Sequence, residues 1–336
     1  MAQAVWTKIV DDASIQRSSQ TLSVVGNEVY VYGGELRPRE PVDSTIYRIS
    51  LNGASGNSTI SSTPETPNTP QPRVGSASTT INAKIYLFSG RGGPAMSPIE
   101  EKGSFWTFDP TSNTWSQVKP ADSHSPYPAG RSYHALTNNG SDTIFLHAGC
   151  PETGRLRDLW AFNTVTREWR ELSAAPGPAR GGASIAYADG KVFRMNGFDG
   201  KTEQGGSVDV FDVKSNEWTT VTYAADGISG PSPRSVASLL SVRIAEKACL
   251  VTLFGEHDPS SLGHQGAGKM LSDVWVFDIE SGLWREVIVD GEAPPARGWF
   301  DADVVVDNSG SRIVVHGGLA ESNERLGDIW SLDFSV

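Results

Sequence analysis

The chain has 336 residues, of which 38% are apolar and 35 are glycine, and a formal net charge of −11. That acidity argues against nucleic acid as a partner, because phosphate backbones are met by clustered lysine and arginine. No apolar run approaches the length of a membrane helix, so no membrane span is expected. Residues 1–6 pass into a strand pattern without the basic and apolar regions of a secretion signal, and a cytoplasmic protein is expected.

In chain order, residues 5–10 form a short apolar strand carrying Trp6. A unit then repeats six times, opening at Arg17, Arg73, Arg131, Arg180, Arg234 and Arg297. Spacings of about 50 to 60 residues belong to propeller blades rather than helical solenoids. Each arginine is followed by small residues and then by an apolar strand, at 29–32, 85–88, 144–147, 192–195, 250–254 and 313–316, that runs into glycine. These segments are rich in β-branched and aromatic residues, with no apolar recurrence at helical spacing, which predicts an all-β chain.

An aromatic strand follows, with Trp106, Asp109 and Trp115 spaced as are Trp160, Asn163 and Trp169, or Trp275, Asp278 and Trp284. The Asp or Asn falls where a hairpin turn needs a side-chain acceptor, so four strands per unit are expected. The last unit supplies Trp330 and Asp333 but ends at Val336 before a closing tryptophan. The strand with Trp6 therefore completes the sixth blade and removes an open sheet edge. One domain spans 1–336, with blades near 17–72, 73–120, 131–173, 180–223, 234–289 and 297–336 plus 5–10. Between Gly53 and Pro72 the first blade dissolves into Ser, Thr, Pro and Asn, which predicts a mobile surface loop.

The doublets Gly33-Gly34 and Gly317-Gly318 and the tripeptides Asp158-Leu-Trp160, Asp273-Val-Trp275 and Asp328-Ile-Trp330 resemble the kelch repeat. The resemblance covers nearly the whole chain and implies a single six-bladed β-propeller; Tyr47 stands where other blades place tryptophan. Small residues after each arginine suit the crowded axis, which sets the arginines beside the channel as a candidate anion site. The plain alternative is that each pairs with a carboxylate or carbonyls of its own blade. The position after each strand-ending glycine differs in every unit, holding Glu35, Arg91, Cys150, Phe198, Glu256 and Leu319, and so is free for function.

The fifth blade is the most individual, with carboxylates and two histidines between Glu256 and Gly268. Such donors suit a divalent metal such as Fe(II). This loop, with Gly33-Gly34-Glu35 and Arg297-Gly-Trp299, resembles the nitrile-specifier branch of the kelch family, which steers breakdown of the glucosinolate aglucone with Fe(II). The resemblance implies iron ligation by Glu256 and His264, with Ser260 where the branch has aspartate and Asp258 two residues out of register. It also implies that Arg73 and Arg131 hold a sulfate and that Trp299 lines the pocket.

Asp301 and Asp303 follow on the innermost strand, where one of them is a candidate general base with Glu256 and Asp258. His134 and His257 are read as packing and loop residues, and Cys150 and Cys249 as buried thiols. The sequons at Asn57 and Asn139 are read as chance. No blade end presents the two tyrosines and two histidines of a copper radical oxidase.

Two functions compete. One is a lyase or rearrangement catalyst that binds a polar or anionic small molecule at the channel mouth, with Arg73, Arg131, Trp299, Glu35 and Arg91 as anchors. The other is a non-catalytic protein-interaction module.

Overall fold

The computed structural model describes residues 3–51, 58–307 and 310–335, the side chains of His264, Asp307 and Ser335 aside. Among the described residues, six sheets of four or five strands, antiparallel except for one outer pair, are arranged around one axis. Their innermost strands, Ser18–Val25, Ala77–Ile81, Ala135–Asn138, Ser184–Ala188, Ser238–Ile244 and Asp301–Asp307, touch in a closed cycle. The expected six-bladed all-β propeller is what the chain forms.

The ring closes through the N-terminal strand. Gln3–Asp11 pairs antiparallel with Asp328–Ser335, and Trp6 lies opposite Leu332. Its indole stacks on Phe254 of blade five at 5.7 Å. A short parallel strand, Ile288–Asp290, caps the outer edge of this sheet. Asp109, Asn163 and Asp278 accept backbone N–H groups two residues on, as the hairpin reading requires.

One expectation is corrected in blade one. Within the stretch read as loop, Ile60–Thr63 forms a fourth strand on Ile46–Ser50, with Ile49 facing Ile60. Backbone pairing does not require apolar side chains at a sheet edge, so a polar outer strand carries little sequence signal. Residues 53–57, including Asn57, lie outside the described residues. The Asn139 side chain accepts the N–H groups of Ser141 and Thr143 in its own turn.

The second residue after each repeat arginine (Ser19, Gly75, Tyr133, Gly182, Val236 and Trp299) has φ between 46° and 62°. Each donates its N–H to the carbonyl of its counterpart in the preceding blade, at 2.7–3.2 Å, with Ser19 donating to Trp299. Six hydrogen bonds thus form a closed backbone belt around the axis. Left-handed backbone at Val and Trp is costly, and the belt supplies the surrounding structure that holds it.

The arginines brace this belt instead of lining the channel. In every blade Nη1 donates to the carbonyl that precedes the strand-ending glycine: Gly33, Ser89, Ala148, Asn196, Phe254 and Gly317 accept from Arg17, Arg73, Arg131, Arg180, Arg234 and Arg297. Each arginine's own carbonyl accepts the N–H of the glycine of the preceding blade, as from Gly255 to Arg297 at 2.8 Å. Four guanidiniums also pair with carboxylates: Arg73 with Glu101, Arg131 with Asp158, Arg234 with Asp273 and Arg297 with Asp328. The same carboxylates accept indole N–H from Trp106, Trp160, Trp275 and Trp330, which explains the Asp-aliphatic-Trp tripeptide. In blade one, Arg17 instead lies over the Tyr47 ring at 4.8 Å.

Candidate functional site

The belt divides the axial space. On one side lies a chamber of about 300 Å³ lined by the innermost strands, including Asp301, Asp303 and Tyr187. On the other lies the mouth, in two adjoining lobes of about 310 and 240 Å³ that share Tyr133, Cys150, Arg155 and Trp299. Tyr133 and Trp299 line all three spaces, because both occupy belt positions whose left-handed backbone turns their side chains to the axis.

The larger lobe is rich in arginine. Glu35, Arg91, Cys150 and Leu319, all from positions that follow a strand-ending glycine, line it together with Arg39, Arg155 and Arg325. These positions converge because each bridges the residue after a repeat arginine, as Arg91 does with Val74 and Cys150 with Ser132. The Arg91 guanidinium donates to Ser132 Oγ at 2.8 Å, to the Met96 carbonyl and across to the Pro151 carbonyl at 2.7 Å. Arg325 approaches Glu35 at 3.5 Å. Burial raises the Glu35 carboxyl, against the opposing pull of the Arg39 N–H and of Arg325.

The smaller lobe is apolar, with Phe198, Pro259 and Trp299, and takes Glu256 and Ser260 from the fifth-blade loop. That loop is ordered locally by a ribbon in which Glu256–Asp258 pairs with Lys269–Met270, and by a turn of 3-10 helix at Gly263–Gln265. Glu256 is only 4% exposed, and its Oε1 accepts the Gly268 N–H at 3.1 Å. Burial pushes its carboxyl up to about 7.

The other expected site residues are scattered. Arg73 and Arg131 line no part of the mouth; both are 1% exposed and engaged by carboxylates and carbonyls, so an anion has no free guanidinium edge to meet there. Asp258 is directed to solvent, with its side chain 70% exposed. Asp301 reaches the chamber across the belt, not the mouth, and accepts the Leu22 N–H of blade one at 2.7 Å; Asp303 does the same with Val24. Burial pushes them up to about 7 and about 6. Cys150 lines both lobes and is half-buried, whereas Cys249 is buried.

The expected Fe(II) ligands are met only in part. Glu256 is in place, but the Ser260 hydroxyl is occupied with the Leu262 N–H at 3.1 Å, and the His264 side chain lies outside the described residues. Among the described residues no three His, Cys, Asp or Glu side chains form a metal-holding group. Reading the repeat missed Arg155, Arg325 and Tyr133. Tyr133 was within reach, since it follows Arg131 by the same two residues that separate Trp299 from Arg297.

With six kelch-type blades and a mouth built from their variable positions, the class of protein is defined. The chain belongs to the kelch-repeat family: residues 19–255 match the KLHDC2/KLHL20/DRC7 Kelch-repeats domain. It is 25% identical to an N-(sulfonatooxy)prop-2-enimidothioate sulfolyase of Thlaspi arvense, across 98% of this chain and 96% of that protein. It is 26% identical, over 97% of its length, to a putative adagio-like protein 2 of Oryza sativa subsp. japonica, of which it spans 50%. A solved structure titled YjhT superposes with a TM-score of 0.72 at 14% identity, covering 98% of this chain and 99% of that one, which bears on fold alone. Among the described residues no helix is long and apolar enough to cross a membrane.

Proposed function

We propose that this propeller acts on a small organic molecule bearing an anionic or polar group, bound at the two-lobed mouth, and promotes a lyase- or rearrangement-type reaction. The observation that carries this reading is the juxtaposition of an arginine-rich lobe with an apolar lobe floored by a buried carboxyl. Arg91 and Arg325 would meet the anionic group through guanidinium geometry. Trp299 and Phe198 would hold the apolar part, with Glu256 on the wall of the same lobe. The similarity to a sulfolyase across nearly the full length of both chains supports the same reading. Fe(II), where bound, would supply a Lewis acid; Glu256 suits a ligand to it and Ser260 does not, so no step is assigned to the metal.

Titration with an alkyl sulfate, followed by calorimetry, tests this. Arg91→Met is expected to weaken binding by about tenfold, or about 1.4 kcal/mol, while Arg234→Met, away from the mouth, leaves it unchanged in folded protein. Absence of binding, or equal affinity in Arg91→Met, refutes the reading. The second reading, a protein-interaction module, is favoured by the matches to longer proteins, among them an F-box/kelch-repeat protein of Arabidopsis thaliana of which the chain spans 55%. Under it, the mouth variants alter capture of a partner protein and no small-molecule affinity.

A further inference from the structure

One sequence motif takes no part in the mouth. Between blades one and two, Thr63-Pro64, Thr66-Pro67 and Thr69-Pro70 recur at intervals of three, and Pro72 follows. Three is the period that lines prolines along one face of a polyproline helix. The structure breaks that ladder. Thr66, Pro67, Asn68 and Thr69 form a turn in which the Thr69 N–H donates to the Thr66 carbonyl at 3.0 Å, with proline in the second position that turns favour. What the turn presents to solvent is a threonine followed by proline.

The three threonines are not equivalent. Residues 64–68 are exposed, whereas Thr63 and Thr69 are half-buried and Pro70 is buried. Thr63 ends the outer strand of blade one, opposite Ile46. The Thr69 hydroxyl accepts the Thr66 N–H at 2.8 Å, and the Pro70 and Gln71 carbonyls accept the Tyr32 hydroxyl. The Gln71 carbonyl also holds Arg73 Nε at 3.0 Å, which ties this end of the segment to the brace of blade two. Thr66 Oγ1 accepts the Asn68 N–H at 3.3 Å and lies 3.1 Å from Thr69 Oγ1. Among the described residues, the side-chain hydrogen bonds of residues 64–69 thus all lie inside the turn, and an exposed segment held by its own bonds opens locally at little cost. The chain's three Ser-Pro dipeptides are engaged elsewhere. Ser97–Pro98 pairs as a short strand with Arg91–Gly92, the Ser125 hydroxyl donates to Asp122 Oδ2 at 2.9 Å, and the Ser232 carbonyl holds Arg234 Nε at 3.0 Å.

We propose that Thr66 is the phosphoacceptor of a proline-directed serine/threonine kinase. An enzyme pocket that offers no acceptor to the residue after its target selects proline, because any other residue leaves an N–H unpaired there. Thr66 Oγ1 attacks the γ-phosphorus of ATP, the bond from that phosphorus to the bridging oxygen of the departing ADP breaks, and the hydroxyl proton passes to the kinase's catalytic carboxylate. The product carries about −1.5 to −2 charges. Residues 64–69 line neither lobe of the mouth, so this site does not depend on the proposed function.

The test is incubation of the full chain with Mg-ATP and a cyclin-dependent or mitogen-activated kinase, the phosphate being located by tandem mass spectrometry. One phosphate on Thr66 is expected. Thr66→Val should abolish that incorporation, and Pro67→Ala, which keeps the hydroxyl but restores an N–H, should slow it by about tenfold. Ser125→Ala should leave the rate unchanged. Both turn variants change exposed residues, and urea unfolding curves that match wild type establish that they fold. No incorporation, phosphate confined to Thr63, Thr69 or a serine, or a wild-type rate in Pro67→Ala overturns the proposal. Capture of the chain by a WW or SH3 domain, undiminished in Thr66→Val and without phosphate transfer, also overturns it and assigns the prolines to polyproline docking.

Discussion

Arg297 shows why the repeat arginine is structural. Its guanidinium is fully buried, takes both oxygens of Asp328 at 2.6 and 2.7 Å and reaches the Gly317 carbonyl at 2.9 Å. Burial alone would raise the Asp328 carboxyl, yet Arg297 holds it below its ordinary value. Removing one partner of a buried pair strands the other, so Arg297→Met should cost about 3–5 kcal/mol in urea unfolding. Gly255 is constrained differently, with φ at +105° and the Ser235 carbonyl 2.7 Å from where a Cβ would stand. Gly255→Ala should destabilise by more than about 1 kcal/mol, read from the same unfolding curves. Both arise within one blade, whose strands bring Arg297 to Asp328 and Ser235 to Gly255.

At the scale of the element, the junction of blades six and one is distinctive. Besides the belt, it is stitched by Asp301 and Asp303 to the backbone of Leu22 and Val24, and by Gln20 to the His316 carbonyl at 2.9 Å. The two aspartates have raised folded values, so the stability they give is present in acid and lost as pH rises through about 6 to 7. His134 and His316, which burial lowers to about 3, act oppositely: their stability is lost as pH falls below about 6.5. Asp301→Asn removes part of the first trend. The variant should therefore lose more stability than wild type between pH 7 and pH 5, as read by denaturant titration at each pH. The closing strand makes a separate prediction. Deleting residues 1–11 bares the edge of Asp328–Ser335, and an open edge recruits other strands. Self-association in size-exclusion chromatography is the expected outcome, and a monodisperse monomer would contradict the closure.

For the whole molecule, the belt separates two axial spaces of different electrical character. The chamber is lined by Asp301 and Asp303 and, among the described residues, by no lysine or arginine, whereas Arg39, Arg91, Arg155 and Arg325 face the arginine-rich lobe of the mouth. The chain's own order of residues determined the blade count, the closing strand and the variable positions, because repeats expose their period and strands their β-branched and aromatic grammar. It also placed Glu35, Arg91 and Glu256 at the mouth, since a slot that changes in every unit is released from packing, while Trp299 was placed there by the family resemblance. Only the tertiary structure decided that Arg73 and Arg131 are braces and that Arg325 and Tyr133 face the mouth. Which group a side chain meets depends on how the strands and blades close on one another: Arg325 reaches Glu35 across 290 residues of chain, and no spacing within one repeat shows it.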